Sequence, residues 1–159
     1  MPVRMELSRI LIRELNDYQI IELREMAEDT DAPGAVGGPV EYVSESEAEE
    51  SGARSFPIVI GLPEAQAIER RLKGIPIKRP QTHDLLANVI TSLGGELASI
   101  TITDLSDQTF FATLDVKVKG AETIHIDARP SDAIALGVAG DVPIYVEEHV
   151  LEAALKDLE

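Results

Sequence analysis

The sequence predicts a single α+β domain, in which a mixed and largely antiparallel sheet packs against about four helices. Short alternating apolar runs between turn signals predict strands near both ends of the chain. Helical patterns follow each group of strands, and two of them stop at glycine. The resulting order of strands, helices, strands and helices differs from the strict alternation that builds a parallel sheet.

The N-terminal third predicts a hairpin followed by an insertion. Residues 3–14 and 18–26 are the two predicted strands, with Asn16-Asp17 as the turn between them. Residues 27–53 hold eight acidic residues and no Lys or Arg. Because this segment lacks the apolar side chains that offset the entropy of ordering, we expect it to be flexible or exposed.

The middle of the chain predicts a strand and two helices. Residues 56–61 form a short apolar strand, and Pro63 opens a helix that ends at Gly74. Thr82 is the predicted N-cap of the next helix. Its apolar residues predict a buried stripe: Leu85, Leu86, Val89, Ile90 and Leu93.

The C-terminal half predicts an antiparallel meander followed by two helices with a short strand between them. The predicted ranges, in chain order, are strands at 97–103, 109–118 and 122–127, a helix at 131–139, a strand at 143–146 and a helix from 147. We expect the domain to span residues 1–152, with the insertion at about 27–53, and residues 153–159 to end the last helix.

Composition narrows the class of protein. The chain has no cysteine, which excludes disulfides, thiolate metal sites and cysteine nucleophiles, and this suits a reducing cytoplasm. It begins without the apolar core of a signal peptide and holds no apolar run long enough to span a membrane. We therefore expect a cytoplasmic, acidic protein with no membrane partner. Its net charge of −15 works against tight binding of nucleic acid.

Two similar phrases, "KRPQTHDLLANVI" and "IHIDARPSDAIALGV", each place Arg-Pro, a hydroxyl residue and an acid where a helix begins. The first interpretation is structural. Thr82 and Ser131 would be N-caps, and Asp84 and Asp132 would meet the positive end of each helix dipole. The arginines would then pair with acids nearby.

The second interpretation is a functional site. Because helix N-termini attract anions, the candidate phosphate-binding residues are Arg79, Arg129, Thr82 and Ser131. Carboxylate oxygens suit Mg²⁺ or Mn²⁺, and the candidate metal ligands are Asp127, Asp132 and Glu64. A carboxylate-held metal beside a phosphate-binding arginine is the machinery of phosphodiester hydrolysis. The candidate catalytic residues are His83, as general base or proton donor, with Asp84, Asp127 and Asp132.

This site requires the two junctions, about 50 residues apart in the chain, to meet in the fold. We expect a convergence of five charged residues: Arg79, Asp84, Asp127, Arg129 and Asp132. If they do not meet at an accessible pocket, the structural interpretation is favoured.

Three phrases resemble the bifunctional nuclease domain family: "FPIVIGLPEAQAIERRLKG", "RPQTHDLL" and "IDARPSDAIALGV" followed by "PIYVEEHVL". The resemblance runs over about residues 3–151 and implies one α+β domain, a homo-oligomer and nuclease activity on DNA and RNA. The positions that match are Glu64, Gln66, Arg79, Thr82, His83, Asp84, Asp127, Arg129, Ser131 and Asp132. The acidic insertion departs from the family pattern and would compete with phosphates for a cationic site.

We therefore expect a metal-dependent nuclease that assembles as a homo-oligomer, most simply a dimer. Exposed strand edges in a small sheet also favour assembly, because such edges need protection. The alternative is a non-catalytic binding or assembly module, in which the Arg and Asp residues form a structural ion-pair network.

Overall fold

A computed structural model describes residues 2–13, 18–26 and 53–158. The described residues form one seven-stranded mixed sheet and four α-helices, which confirms the predicted α+β domain. The strands are β1 (Val3–Leu11), β2 (Tyr18–Glu25), β3 (Ser55–Gly61), β4 (Gly95–Ser106), β5 (Thr109–Val118), β6 (Ile124–Ala128) and β7 (Ile144–Val146). The helices are α1 (Leu62–Lys73), α2 (Thr82–Ser92), α3 (Pro130–Gly137) and α4 (Glu148–Lys156), with a 3₁₀ turn at Val138–Gly140.

The sheet has the strand order β3-β2-β1-β7-β4-β5-β6. The predicted hairpin is β1–β2, and the predicted meander is β4–β5–β6, each antiparallel. The short strand β7 joins the two groups, antiparallel to β1 and parallel to β4. The expected acidic insertion at about 27–53 lies almost entirely outside the described residues.

The two faces of the sheet differ in chemistry. On one face, Ile144, Ile100, Leu114 and Ile126 stand in register across four strands. The helices pack on this face, and the first three of these side chains belong to the core. Because successive residues of a strand alternate between faces, the next row lies on the opposite side. That row is polar for most of its length: Arg4, Tyr145, Thr101, Thr113 and Asp127.

Helix α3 lies at the centre of the helical layer. Seven of its eight residues are buried, and it packs against α1, α2 and strands β4 and β5. A Cβ atom on Gly137 would lie 2.5 Å from Cδ1 of Ile100, so the helix backbone approaches the sheet more closely than a side chain permits. The depth of the helix therefore favours glycine at this position.

The helix starts differ from the prediction. Gln81 is the N-cap of α2, where its side chain and the Asp84 carboxylate form a reciprocal capping box. Arg129 is the N-cap of α3, because Pro130 is well suited to the first helical position. Thr82 and Ser131 thus belong to the first turns, and neither is the cap.

The predicted buried stripe of α2 is also wrong. Leu85, Leu86, Val89 and Leu93 are exposed, and Ile90 is partly buried against the core. Of the residues of α2, Ala87 and Ile90 are partly buried and pack against the core. No helix in the described part of the chain is long and apolar enough to cross a membrane.

The close approach of α3 to the sheet makes a prediction at Gly137. We expect Gly137→Ala to lower the free energy of unfolding by about 1–3 kcal/mol, because the methyl group overpacks the Ile100 contact. Gly140→Ala is the matched control, since its added Cβ would meet only Cγ2 of Val142 at 3.9 Å. Urea unfolding of both variants tests the packing, and equal stabilities would contradict it.

Candidate functional site

Arg129 bridges two carboxylates at the start of α3. Its Nε atom donates to Oδ2 of Asp132 at 2.9 Å, and its second terminal nitrogen donates to Oδ1 of the same residue at 3.2 Å. Its other terminal nitrogen lies 3.3 Å from Oε1 of Glu64. Asp132, more than Glu64, raises the pKa of Arg129. The side chain nevertheless stays 63% exposed, so the guanidinium is accessible from solvent.

His83 connects the two junctions. Its Nε2 atom lies 2.8 Å from Oδ1 of Asp132, although 49 residues separate them in the chain. Burial raises the pKa of Asp132, but the hydrogen bonds from Arg129 and His83 outweigh burial and hold that pKa below its ordinary value. The Asp132 carboxylate is therefore ionised at neutral pH and holds both side chains in place.

Asp84 belongs to a second, internal cluster. It pairs with Arg70 at 2.7 Å and with Arg71, both from the last turns of α1. Arg71 also donates to the backbone oxygens of Ala135 and Leu136, at the end of α3. Burial raises the pKa of Asp84, but the Gln81 backbone N–H and the two arginines outweigh it and lower that pKa. This cluster ties three helices together.

A cleft of about 450 Å³ lies beside Arg129. Helices α1 and α3 both begin at it, so that Gly61 and Glu64 line one side and Arg129 and Ser131 line another. The remaining lining residues come from β2, β3, the β4–β5 turn, the start of β5 and the start of α3: Tyr18, Pro57, Ile58, Val59, Ile60, Gln108, Thr109, Phe110 and Pro130. A Cβ atom on Gly61 would overlap the Glu64 carboxylate, which shows that this carboxylate folds back over the start of α1.

The predicted convergence is therefore partial. Glu64, His83, Arg129 and Asp132 come together, and Ser131 lines the cleft although it is largely buried. Asp84 joins the internal cluster instead. Arg79 and Thr82 are exposed, and neither has a side-chain hydrogen bond or ion pair among the described residues. Asp127 stands on the polar face of the sheet, in register with Thr113.

The structure does not bring the three predicted metal ligands together. Within the described part of the chain, no three His, Asp or Glu side chains stand together as a metal-binding group. Glu64 and Asp132 do approach one another, but the Arg129 guanidinium lies between them, and Asp127 is on the opposite face. The Arg129 guanidinium is therefore the cation that Glu64 and Asp132 share in this structure.

A polar cluster on the face of the sheet opposite the helices was not predicted. The Asp115 carboxylate is buried and accepts hydrogen bonds from three hydroxyl groups, those of Ser99, Thr101 and Thr113, at 2.7–2.9 Å. His125 Nδ1 lies 2.6 Å from it and the imidazole is exposed. The alternation of polar residues along β4 and β5 was the available signal, but it does not reveal which carboxylate is enclosed.

The comparison with known protein families matches residues 47–159 to the bifunctional nuclease domain. The chain belongs to the bifunctional nuclease domain family. The match covers the Arg129 cluster (Glu64, His83, Arg129 and Asp132) and the cleft residues of α1 and α3. It also covers the Asp84 cluster (Arg70, Arg71 and Asp84). The hairpin β1–β2 lies before the matched region.

The similar proteins include two from strains of Mycobacterium tuberculosis, described as uncharacterised. They are 43% identical over 106 residues, which cover 67% of this chain and 62% of theirs. Bifunctional nuclease 1 and bifunctional nuclease 2 of Arabidopsis thaliana are each 25% identical over 97 residues. Those residues cover 60% of this chain and 30% of the plant proteins.

The Asp115 cluster predicts a pH dependence of stability. Burial raises the pKa of Asp115, but His125 and the three hydroxyl groups outweigh it and lower that pKa. The resulting stabilisation is present above the unfolded pKa of about 3.9 and is lost as pH falls through the folded pKa.

We expect Asp115→Asn to lower the free energy of unfolding at pH 7 by about 1–3 kcal/mol, because the hydroxyl and imidazole donors lose a charged acceptor. The difference from the parent should shrink below about pH 4. Urea unfolding at pH 7 and pH 3 measures this, with Asp157→Asn as an exposed control. A deficit that is the same at both pH values would contradict the assignment.

Proposed function

We propose that this domain hydrolyses phosphodiester bonds of nucleic acid in the cleft beside Arg129. The observation that carries the proposal is the position of that guanidinium. It is accessible, it is held between Glu64 and Asp132, and it stands where two helices begin. The names of the Arabidopsis relatives support the reaction class, and the geometry supports the place.

The cleft has the features of a phosphate-binding site. Arginine carries five N–H groups, and three of those on Arg129 are used in the contacts with Asp132 and Glu64. Two N–H groups remain for phosphate oxygens. The starts of α1 and α3 add their positive dipole ends and free backbone N–H groups, which favour an anion.

Glu64 is the carboxylate that faces the substrate in this proposal. It accepts a proton from the attacking water as the water oxygen bonds to phosphorus. Arg129 neutralises the charge that develops on the phosphate oxygens, and the leaving oxygen takes a proton from solvent. Asp132 and His83 do not touch substrate; they orient Arg129 from behind. This scheme uses no step through a metal, in accord with the paired state of the carboxylates.

The acidic surface constrains the substrate. With a net charge of −15, the chain cannot rely on long-range attraction to a polyanion. A short single strand that places one phosphate at Arg129 meets less repulsion than a duplex. We therefore expect weak binding, and turnover that is best measured with short single-stranded oligonucleotides.

The test compares two arginine variants in an oligonucleotide cleavage assay. We expect Arg129→Gln to lower kcat/KM at least tenfold, because a neutral amide cannot stabilise the developing charge. Arg24→Gln is the control: it removes an arginine that pairs with Glu6 at 2.9 Å and is not among the residues that line the cleft. Cleavage by the parent should persist in EDTA.

Two results would contradict the proposal in different ways. A parent chain that cleaves neither DNA nor RNA, with EDTA or with added Mg²⁺, would reject nuclease activity. A parent that cleaves while Arg129→Gln cleaves equally well would keep the activity and reject this site.

A second candidate is a non-catalytic binding or assembly module. The observation that favours it is the internal pairing of Asp84, whose two arginine partners also serve the helix end at α3. In this alternative the Arg129 cluster is likewise structural. An inactive parent, together with a marked loss of unfolding free energy in Arg129→Gln, is the outcome expected of such a module.

A further inference from the structure

Strand β6 presents an open edge. It is the last strand of the sheet, and among the described residues it pairs only with β5. Its backbone N–H and C=O groups on the outer side can therefore accept another strand. The other end of the sheet is β3, where Pro57 lacks the N–H group that pairing needs. Strand β6 contains no proline and no lysine that would block such an approach.

The described residues leave the apolar face beside this edge exposed. Ile124 is 48% exposed and Ile126 is 43% exposed, although both are in register with core residues of β5. Helix α2 continues the surface, with Leu85, Leu86 and Val89 exposed. The helix and the strand adjoin the same place, because a Cβ atom on Gly95 would meet both Ile90 of α2 and Val116, the partner of Ile124.

Charge is scarce on this surface, in a chain that has 29 acidic residues. Helix α2 carries one acid, Asp84, which is paired with arginines of α1, and it carries no Lys, Arg or Glu. Depletion of charge around an apolar patch is typical of the centre of a protein interface. Exposed contiguous apolar surface of this kind marks a site of association.

The sequence of β6 is complementary to itself. In an antiparallel pairing centred on Ile126, this residue faces the same residue of the second copy, and Ile124 faces Ala128. On the polar face, His125 faces Asp127, so the pairing brings an imidazole against a carboxylate twice. If the pairing were centred on a neighbouring residue instead, Asp127 would face Asp127 of the second copy, or His125 would face His125.

We propose that two copies of this chain associate through β6, antiparallel and centred on Ile126. The two-fold axis runs perpendicular to the sheet, so the seven-stranded sheets join into one continuous sheet. Both helical layers then lie on the same side, and the exposed leucines of α2 in the two copies flank the junction. Asp127, which has no role in the Arg129 cluster, becomes the cross-strand partner of His125 from the second copy.

Engineered cysteines test the register, since the natural chain contains none. Directly opposed residues of antiparallel strands have Cα atoms about 4.5 or 5.5 Å apart, within the range of a disulfide. The Ile126→Cys chain should therefore form a disulfide-linked dimer under mild oxidation. Ile124→Cys is the matched control, because its Cα atom lies about 13 Å from its own counterpart, four residues along the strand. It should remain largely uncrosslinked.

In analytical ultracentrifugation, the unmodified chain should have twice its monomer mass of 17.2 kDa at micromolar concentration.

Asp127→Lys should weaken the dimer at least tenfold, because it replaces the carboxylate that faces the His125 imidazole of the second copy with a cation. Glu152→Lys makes an equal charge change at an exposed position of α4 and should not weaken the dimer. An unmodified chain that is monomeric at micromolar concentration overturns the proposal. So does a dimer that crosslinks through residue 124 alone or through neither cysteine. Circular dichroism of each variant establishes that the fold is retained.

Discussion

The burial of α3 is the constraint on which the rest of the structure depends. Because almost the whole helix is enclosed, its terminal backbone groups need partners from the protein. Arg71 provides them at one end by donating to the backbone oxygens of Ala135 and Leu136. The same guanidinium pairs with Asp84, so the enclosure of one helix fixes the positions of α1 and α2. At the other end, the chain enters the helix through Arg129, whose side chain points to the cleft.

The junctions therefore combine a structural and a chemical arrangement. A buried helix must begin somewhere, and its start carries a positive dipole end whatever its function. Here the start of α3 and the start of α1 meet at the same cleft, with Arg129 between the carboxylates of Glu64 and Asp132. His83 then ties α2 to the same carboxylate. In the proposed function, the contacts that stabilise this cluster are also those that position Arg129 for a phosphate, so stability and binding should both be measured on every variant of this cluster.

Most of the fold could be predicted from the sequence, since strand alternation, the turn signals and the glycine stops are local properties. The site was harder to predict, because which side chains pair depends on their distances in the folded chain. Nothing local distinguishes Arg79, which is exposed, from Arg71, which pairs with Asp84. Asp127 follows the pleat to the face opposite the helices, although it stands only two residues before Arg129. Likewise, an apolar stripe on α2 predicts that the stripe is covered. It does not reveal whether the same chain or another molecule covers it.

The central claim is that the cleft between the starts of α1 and α3 receives a phosphate through Arg129. The most direct measurement is a titration of ¹⁵N-labelled protein with a non-hydrolysable single-stranded phosphorothioate, followed by amide chemical shifts. We predict that the shifts concentrate at Gly61, Glu64, Thr109 and Ser131, and that they disappear in Arg129→Gln. Shifts confined to the opposite face of the sheet around His125, or shifts that persist unchanged in the variant, would contradict the account.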